Sequence, residues 1–472
     1  LKAKEKKTFL KEYIHGVTGS GKTLLYLNLM KKKLAEGKSV LFLLPEINLT
    51  PQFIETFKKF LPCKVLSYHS ALNASEKLSC WTTLKTTNEP VLVMGVRSSV
   101  FLPIQNLGLV IVDEEHDSSF KQTDRCPYNG RDVAIKKAQL SDCPVVLGSA
   151  TPSLENYHPT SENFYTLKER VSGYFPKVET ISIRDFPDWE NPTWPVHPQG
   201  VDEISQALEK KEQVLVFVSR LGFANYIQCS ACGFKFTDPE TETNLRYFKN
   251  KNILKSSYSE YKIPVPEICP ECGNMNLLQK GFGTEKVAEI LQKTFPEKNV
   301  ARFDRDEIKN FSDLNQRLDE FSSGDVDILV GTQMLSKGHN FEKVNLVLVL
   351  GIDGQLNFPD FRAMERTYQL LVQVAGRAGR YSKESKVLIQ TMNAEMDLYE
   401  HVNNPASDEF FQQELIIREM TKFPPYSKTA AIFFSAKNRD RVVEDILKAK
   451  RFLDLVNQKN SLDITINPPS PV

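Results

Sequence analysis

The run Gly16-Val-Thr-Gly-Ser-Gly-Lys22-Thr23 has the spacing G-x-x-x-x-G-K-[ST]. Glycines at these positions let backbone N–H groups turn inward around a chain of phosphates. In this reading Gly16, Thr18, Gly19, Ser20 and Gly21 cradle the anion, Lys22 reaches its β and γ groups, and Thr23 ligates Mg²⁺. The stretch Leu24–Leu34 that follows has helical character, so a positive helix end faces the same anion. The chemistry indicated is hydrolysis of ATP with Mg²⁺ as cofactor.

Other residues complete that chemistry. The apolar run Leu109–Val112 leads into Asp113-Glu114-Glu115-His116. An acidic residue ending a buried strand beside a phosphate loop can hold the metal. Asp113 is expected in that role, Glu114 as the general base that orients the attacking water, and His116 as a sensor of the γ-phosphate. The small-residue turn Gly148-Ser-Ala-Thr151-Pro-Ser153 follows the next strand and can hydrogen-bond this cluster. Far downstream, Gln373-Val-Ala-Gly376-Arg377-Ala-Gly379-Arg380 places two arginines three apart, on one helical face. Arg377 and Arg380 are read as arginine fingers that reach the γ-phosphate across a cleft, with Gln373 in the same catalytic set. The small residues between them allow close packing against another lobe. The run Val330–His339 ends a strand where both ATP and nucleic acid are within reach, through Thr332 and Lys337.

Parallel strands must position these groups. Val40–Leu44, Val91–Met94, Leu109–Val112 and Val145–Leu147 are short, wholly apolar runs separated by amphipathic stretches, as are Val214–Val218, Ile328–Val330, Leu346–Leu350 and Val387–Ile389. Such runs fit parallel sheets buried on both faces. Two α/β lobes are therefore expected, joined by a Pro-, Tyr- and Trp-rich linker over 155–200. A polar, cysteine-bearing insert interrupts the second lobe, and a last segment begins helical and ends strand-like at Leu462–Ile466.

Composition is that of a globular chain: 472 residues, 41% hydrophobic, 25% charged, net charge +1. No apolar run of about 18 residues predicts a membrane span, and no secretory signal is visible. Of eight cysteines, four form the pairs Cys229-x-x-Cys232 and Cys269-x-x-Cys272. In a long chain without a secretion signal this pattern favours metal over disulfides and a cytoplasmic setting. Two such pairs supply the four ligands of a tetrahedral Zn²⁺ site. The chain starts at Leu1 and stops at a loop-like Asn467-Pro-Pro-Ser-Pro-Val472, so a fragment trimmed at both ends is expected.

Taken in order, GVTGSGKT, DEEH, GSATP, GTQMLSKGH and QVAGRAGR resemble the motifs of superfamily 2 helicases. The runs Leu43–Gln52, Gly95–Phe101, Asp113–Gln122, Phe217–Ala224, Cys269–Gly273, Gly281–Val287 and Phe358–Leu371 are similar to those of the bacterial primosomal replication-restart helicases. The resemblance covers nearly the whole chain. It implies two RecA-like lobes with parallel sheets: lobe 1 over 1–172, lobe 2 over 173–228 and 281–392, a zinc-binding insert over 229–280, and a partial C-terminal α+β domain over 393–472. It implies a 3′-to-5′ DNA helicase acting at stalled or abandoned forks to restart replication and assemble the primosome. The implied partners are forked or single-stranded DNA, single-stranded DNA-binding protein, and the proteins that load the replicative helicase. By position Pro45, Glu46, Thr50, Arg97 and Ser98 line the DNA path of lobe 1, and Phe120, Lys121 and Tyr128 form an aromatic loop that contacts DNA. The family's N-terminal DNA-binding region and a glutamine segment ahead of the phosphate loop are not found in this sequence. The family's second zinc site is also lost, its four positions being Thr237, Glu240, Ser256 and Ser259; residues 237–262 are expected to be loosely ordered for want of it. The rival function class is a DNA- and partner-binding scaffold whose motor is dispensable.

Overall fold

The computed structural model describes residues 9–467 apart from 46–50, 125, 185–190, 220–225, 230, 240–243, 249–251, 257–259, 281, 304–310, 333–340, 359, 379–383 and 437. It divides into two compact units. The first comprises residues 1–222 and 284–426, the second 223–283 and 427–472.

Lobe 1 runs β1 (Lys11–Gly16), α1 (Lys22–Ala35), β2 (Ser39–Leu43), α2 (Pro51–Phe60), β3 (Lys64–Tyr68), α3 (Ala74–Thr86), β4 (Val91–Gly95), β5 (Leu107–Asp113), β6 (Lys121–Gln122), β7 (Tyr128–Asn129), α4 (Gly130–Leu140), β8 (Val145–Ser149) and β9 (Phe164–Leu167). Seven of its strands form one parallel sheet in the order β3-β4-β2-β5-β8-β1-β9. The apolar runs are continuous because helices cover both faces. Leu41 and Leu43 enter one core while Val40, Phe42 and Leu44 enter the other.

Lobe 2 begins with β10 (Lys177–Ser182), α5 (Pro198–Glu209) and β11 (Gln213–Val218). After the insert, which holds β12 (Tyr226–Cys229), β13 (Arg246–Phe248), β14 (Ile253–Lys255), β15 (Lys262–Pro264) and β16 (Leu277–Lys280), it resumes with α6 (Thr284–Thr294), β17 (Val300–Phe303), α7 (Phe311–Ser323), β18 (Ile328–Gly331), β19 (Val344–Leu350), α8 (Asp353–Leu356), α9 (Ala363–Ala375) and β20 (Lys386–Thr391). Its six-stranded parallel sheet has the order β10-β20-β19-β11-β18-β17. The stretch read as a linker in fact supplies an edge strand to each lobe, β9 and β10. An edge strand pairs on one side only and carries a weaker apolar signature: β9 shows no buried position.

The helices α10 (Asp397–Asn403) and α11 (Glu409–Thr421) were assigned by sequence to a separate C-terminal domain. They belong instead to the first unit: Leu398, Tyr399, Val402, Phe410 and Phe411 are buried in the lobe 2 core. In the second unit, β12 and β16 pair antiparallel, as do β13-β14-β15, and α12 (Arg439–Lys459) follows. Among the described residues of 237–262, β13, β14 and β15 form this three-stranded sheet. Ile227, Phe236, Leu245 and Leu254 make a small apolar core beneath these strands. Residues 462–466 lie outside any strand, correcting the strand read there.

Candidate active site and metal centre

The phosphate loop leaves β1 and enters α1 at Gly21, whose φ of 84° needs a glycine. Lys22 Nζ donates to Gly16 O at 2.5 Å and Val17 O at 3.5 Å, holding the loop closed on itself. Ser20 Oγ is buried without a protein partner.

Asp113 ends β5 beside this loop, and the Tyr26 hydroxyl donates to its Oδ1 at 3.1 Å. Burial first, and the neighbouring Glu114 second, push the Asp113 carboxyl up to about 7. A carboxylate under that strain is one a divalent cation offsets, so the residues suit Mg²⁺. Tyr26 reaches Asp113 only because residue 148 is glycine: a Cβ there would stand 1.7 Å from the Tyr26 hydroxyl. An interior strand glycine marks such close approaches, and that signal was available in the sequence. Glu114 sits in the left-handed region at φ 48°, and its buried Oε2 has no hydrogen-bond partner.

His116 joins the lobes. Its Nδ1 lies 2.7 Å from Ser149 Oγ and its Nε2 2.9 Å from Gln373 Nε2. Gln373 presents an amide N–H, so His116 Nε2 accepts and Nδ1 carries the proton toward Ser149. Gly376 packs on the phosphate loop itself, where a Cβ would meet Thr18 Cγ2 at 2.8 Å. This is the close approach anticipated from the small residues around Arg377. Arg377 is half-buried, while Arg380 lies outside the described residues.

Sequence reasoning missed the group that holds this site together, Glu115. It is 1% exposed and accepts from Tyr13 Oη (2.6 Å), Arg131 Nη1 (2.9 Å), Ser153 N (2.8 Å), Ser153 Oγ (2.9 Å) and Asn156 Nδ2 (2.9 Å). It ties β1, α4 and the Gly148–Ser153 turn to the acidic cluster. No spacing distinguishes it from Glu114; the left-handed turn at Glu114, just past the end of β5, gives the two side chains different surroundings.

His15, next to the loop, is also silent in sequence. It is 2% exposed and ringed edge-on by Tyr157, Phe164 and Phe411. Burial pulls its pKa down to about 4; Asp408, 4.0 Å away, opposes this and Lys22 reinforces it. The ring is thus neutral at pH 7, and its contact with Asp408 is not an ion pair there. The unfolded chain takes up this proton near 6.5 and the folded chain near 4. Stability from this group is therefore full above about 6.5 and falls by about 1.4 kcal/mol per pH unit toward 4. Thermal melting from pH 7 to 4 should show a shallower acid limb for His15→Gln than for the wild type; parallel limbs would refute the assignment.

In the second unit, Sγ atoms of Cys229, Cys232, Cys269 and Cys272 lie within 4.8 Å of one another. Cys229 and Cys272 are 3.5 Å apart, Cys232 and Cys269 3.6 Å. Four ligands at about 2.3 Å in a tetrahedron around zinc stand about 3.8 Å apart. The two knuckles are built alike. Gly233 N donates to Cys229 O at 3.1 Å and Gly273 N to Cys269 O at 2.9 Å, both glycines at positive φ. Backbone N–H groups of Cys232 and Ala231 hold the Cys229 thiol down to about 6, while the thiols of Cys232 and Cys272 beside it are raised.

Known proteins share these features. A DEAD/DEAH box helicase model matches residues 3–159, and a helicase conserved C-terminal domain model residues 279–382. Replication restart protein PriA of Bacillus subtilis is 37% identical over 475 residues, covering 100% of this chain and 58% of that protein. PriA of Rickettsia felis is 36% identical over 436 residues, covering 91% of this chain and 67% of that one. The chain belongs to the PriA family. It spans 58% and 54% of the Bacillus and Synechocystis PriA proteins. Among solved structures, Mss116p bound to ssRNA and AMP-PNP has a TM-score of 0.51 at 13% identity, covering 97% of this chain and 78% of that one. At that identity the likeness concerns the fold alone.

For the positions carried over from PriA, the structure separates surface from core. Arg97 Nη1 donates to Ser119 O (3.3 Å) and Lys121 O (3.0 Å), bracing the β6–β7 hairpin. Lys121 is exposed, and Tyr128 and Ser98 are half-buried. Phe120 corrects the expectation: at 1% exposure its ring is packed in the lobe 1 core and has no face for a base. Phe101, 55% exposed and 5.1 Å from Tyr128, offers an aromatic face that the sequence reading passed over. Pro45 and Thr332 are buried at strand ends. Glu46, Thr50 and Lys337, with Glu240 and Ser259 of the insert, lie outside the described residues.

Proposed function

We propose that this chain is the motor of an ATP-dependent 3′-to-5′ DNA helicase and translocase that acts at stalled or abandoned replication forks. Within that reading Gly16, Thr18, Gly19, Ser20, Gly21 and Lys22 bind the phosphates, and Thr23 and Asp113 hold Mg²⁺, which neutralises phosphate charge. Glu114 orients the attacking water. Arg377 and Arg380 stabilise charge on the transferring group, and Gln373 with His116 reports the phosphate state between lobes. The observation that carries the reading is the bridge from Gln373 of lobe 2 through His116 to Ser149, beside the phosphate loop. Polarity, fork recognition and contacts with single-stranded DNA-binding protein and helicase loaders rest on the PriA relatives' replication-restart role. With Phe120 withdrawn, Pro45, Glu46, Thr50, Arg97, Ser98, Lys121, Tyr128, Thr332 and Lys337 are the proposed DNA contacts.

The test is DNA-stimulated ATP turnover. Lys22→Ala is expected to lower it by about 10²-fold or more. Wild-type turnover no higher than that of the variant would assign the chain to the scaffold class.

The cysteine cluster is proposed to hold one Zn²⁺ as a structural Cys₄ site. Metal analysis should find about one zinc per chain, and Cys229→Ser should lose most of it and expose the insert to protease. Zinc content unchanged by that substitution would sink the site.

A further inference from the structure

The sheet β13-β14-β15 of the second unit has two faces of different chemistry. Its register sets Tyr247, Leu254 and Ile263 side by side, and all three pack on the core of Ile227, Phe236 and Leu245. Side chains alternate along a strand, so the two flanking residues of each strand form the opposite face. There Arg246, Lys255 and Lys262 stand in one row across the sheet, and Phe248, Ile253 and Pro264 in the next. This face is open to solvent: Arg246, Lys262 and Pro264 are exposed, and the Phe248 ring is 44% exposed.

A row of three cations is unfavourable by itself, since directly opposed like charges on neighbouring strands repel. Among the described residues Lys255 pairs with Glu260 alone, at 3.8 Å, and Arg246 and Lys262 pair with no carboxylate. Glu260 is 99% exposed, and a pair so open to water contributes little. A polyanion laid across the strands would offset the repulsion along the whole row, which spans about 10 Å at the usual strand spacing. The Phe248 ring lies about 7 Å further along β13 on the same face. Cations that follow a backbone beside an open aromatic ring suit unpaired bases, which have a face free to stack; the bases of a duplex do not.

We propose that this face binds single-stranded DNA, with Arg246, Lys255 and Lys262 on successive phosphates and Phe248 stacked on a base. The surface belongs to the cysteine-bearing insert and is separate from the phosphate site and from the DNA contacts proposed for the lobes. It rests on the reading of the chain as a DNA motor.

Fluorescence anisotropy with a labelled oligo-dT at several salt concentrations tests this on the full chain. The triple variant Arg246→Ala, Lys255→Ala, Lys262→Ala is expected to bind about tenfold or more weakly at about 0.1 M salt. It should also lower the slope of log affinity against log salt by about 2, the share of three phosphate contacts. Phe248→Ala should weaken binding about fivefold or more at the wild-type slope, and Phe248→Trp should restore it. Melting at the wild-type temperature shows that these surface variants are folded. Wild-type affinity in the triple variant overturns the proposal; if that variant instead loses oligo-glutamate, the face belongs to an acidic protein segment. Loss of affinity with an unchanged salt slope overturns it too, as does a Phe248→Ala variant that binds like wild type. A wild-type chain that binds no oligonucleotide and gains no ATP turnover from DNA rejects the motor reading itself, an outcome distinct from DNA binding that the variants leave intact.

Discussion

Glu115→Ala should destabilise lobe 1 by about 3–5 kcal/mol, whereas Glu114→Gln should leave stability nearly unchanged and cut ATP turnover by about 10²–10⁴-fold. The two carboxylates are adjacent and have opposite surroundings. Glu115 is closed in by four residues that donate to it, and Arg131 is its charged partner at 2.9 Å. Burial alone would raise its pKa, but Arg131, the Tyr13 hydroxyl and Ser153 N–H outweigh that and hold it below the usual range. Its stabilising effect is thus present above the ordinary carboxylate pKa of 4.5 and is lost as pH falls below that value. Deleting it strands a largely buried guanidinium and the donors around it. Glu114, with Oε2 unpartnered and His116 Nδ1 at 3.6 Å, has little structure to lose. Denaturant melts and turnover assays on both variants check the contrast. Equal stability of Glu115→Ala and wild type would contradict the structural role, and normal turnover of Glu114→Gln the catalytic one.

Arg418→Ala should cost about 3–5 kcal/mol, and the cost should shrink at acid pH. Arg418 is 1% exposed and donates to Glu365 Oε2 (2.7 Å), Glu414 Oε1 (3.3 Å) and Pro424 O (3.2 Å). Glu365 in turn accepts from Leu154 N at 3.1 Å and Gln369 Nε2 at 3.2 Å, so this cluster fastens the Gly148–Ser153 turn to α9, which carries Gln373. Burial raises the pKa of both Glu365 and Glu414, and Arg418 opposes it. Without Arg418 two buried carboxylates stay raised still further. The folded variant then binds protons the unfolded chain has released, and its deficit narrows as pH drops. Melting of wild type and variant across pH 8 to 5 should therefore converge. Glu365→Gln added to Arg418→Met should restore part of the loss, since the Arg418–Glu365 pair is then removed together and only Glu414 is left as a buried carboxylate. A pH-independent gap would argue against carboxylate burial as its cause.

Much of this molecule could be read directly from residue types. The phosphate loop is local: its glycines and lysine act through backbone geometry set within eight residues. Strands such as Ser39–Leu43 and Val145–Ser149 are legible because burial on both faces demands an unbroken apolar run. The knuckles are legible because the spacing and the following glycine determine a turn that aims both sulfurs one way. Edge strands β9 and β10 were not legible, since one-sided pairing leaves little pattern. The C-terminal boundary failed for a related reason: α10 and α11 show ordinary amphipathic sequences, and nothing local says which core receives Phe410 and Phe411.

The sequence by itself determined the phosphate-loop motif, the two parallel-sheet lobes and the two Cys-x-x-Cys pairs, because each depends on residues close in the chain or on burial alone. Only the tertiary structure decided which of Glu114 and Glu115 is a structural anchor, that Phe120 is core while Phe101 is offered to solvent, and that Gly376 touches Thr18. These depend on segments far apart in sequence meeting at the ends of two sheets, and the free energy of those meetings is written in distances rather than in residue types.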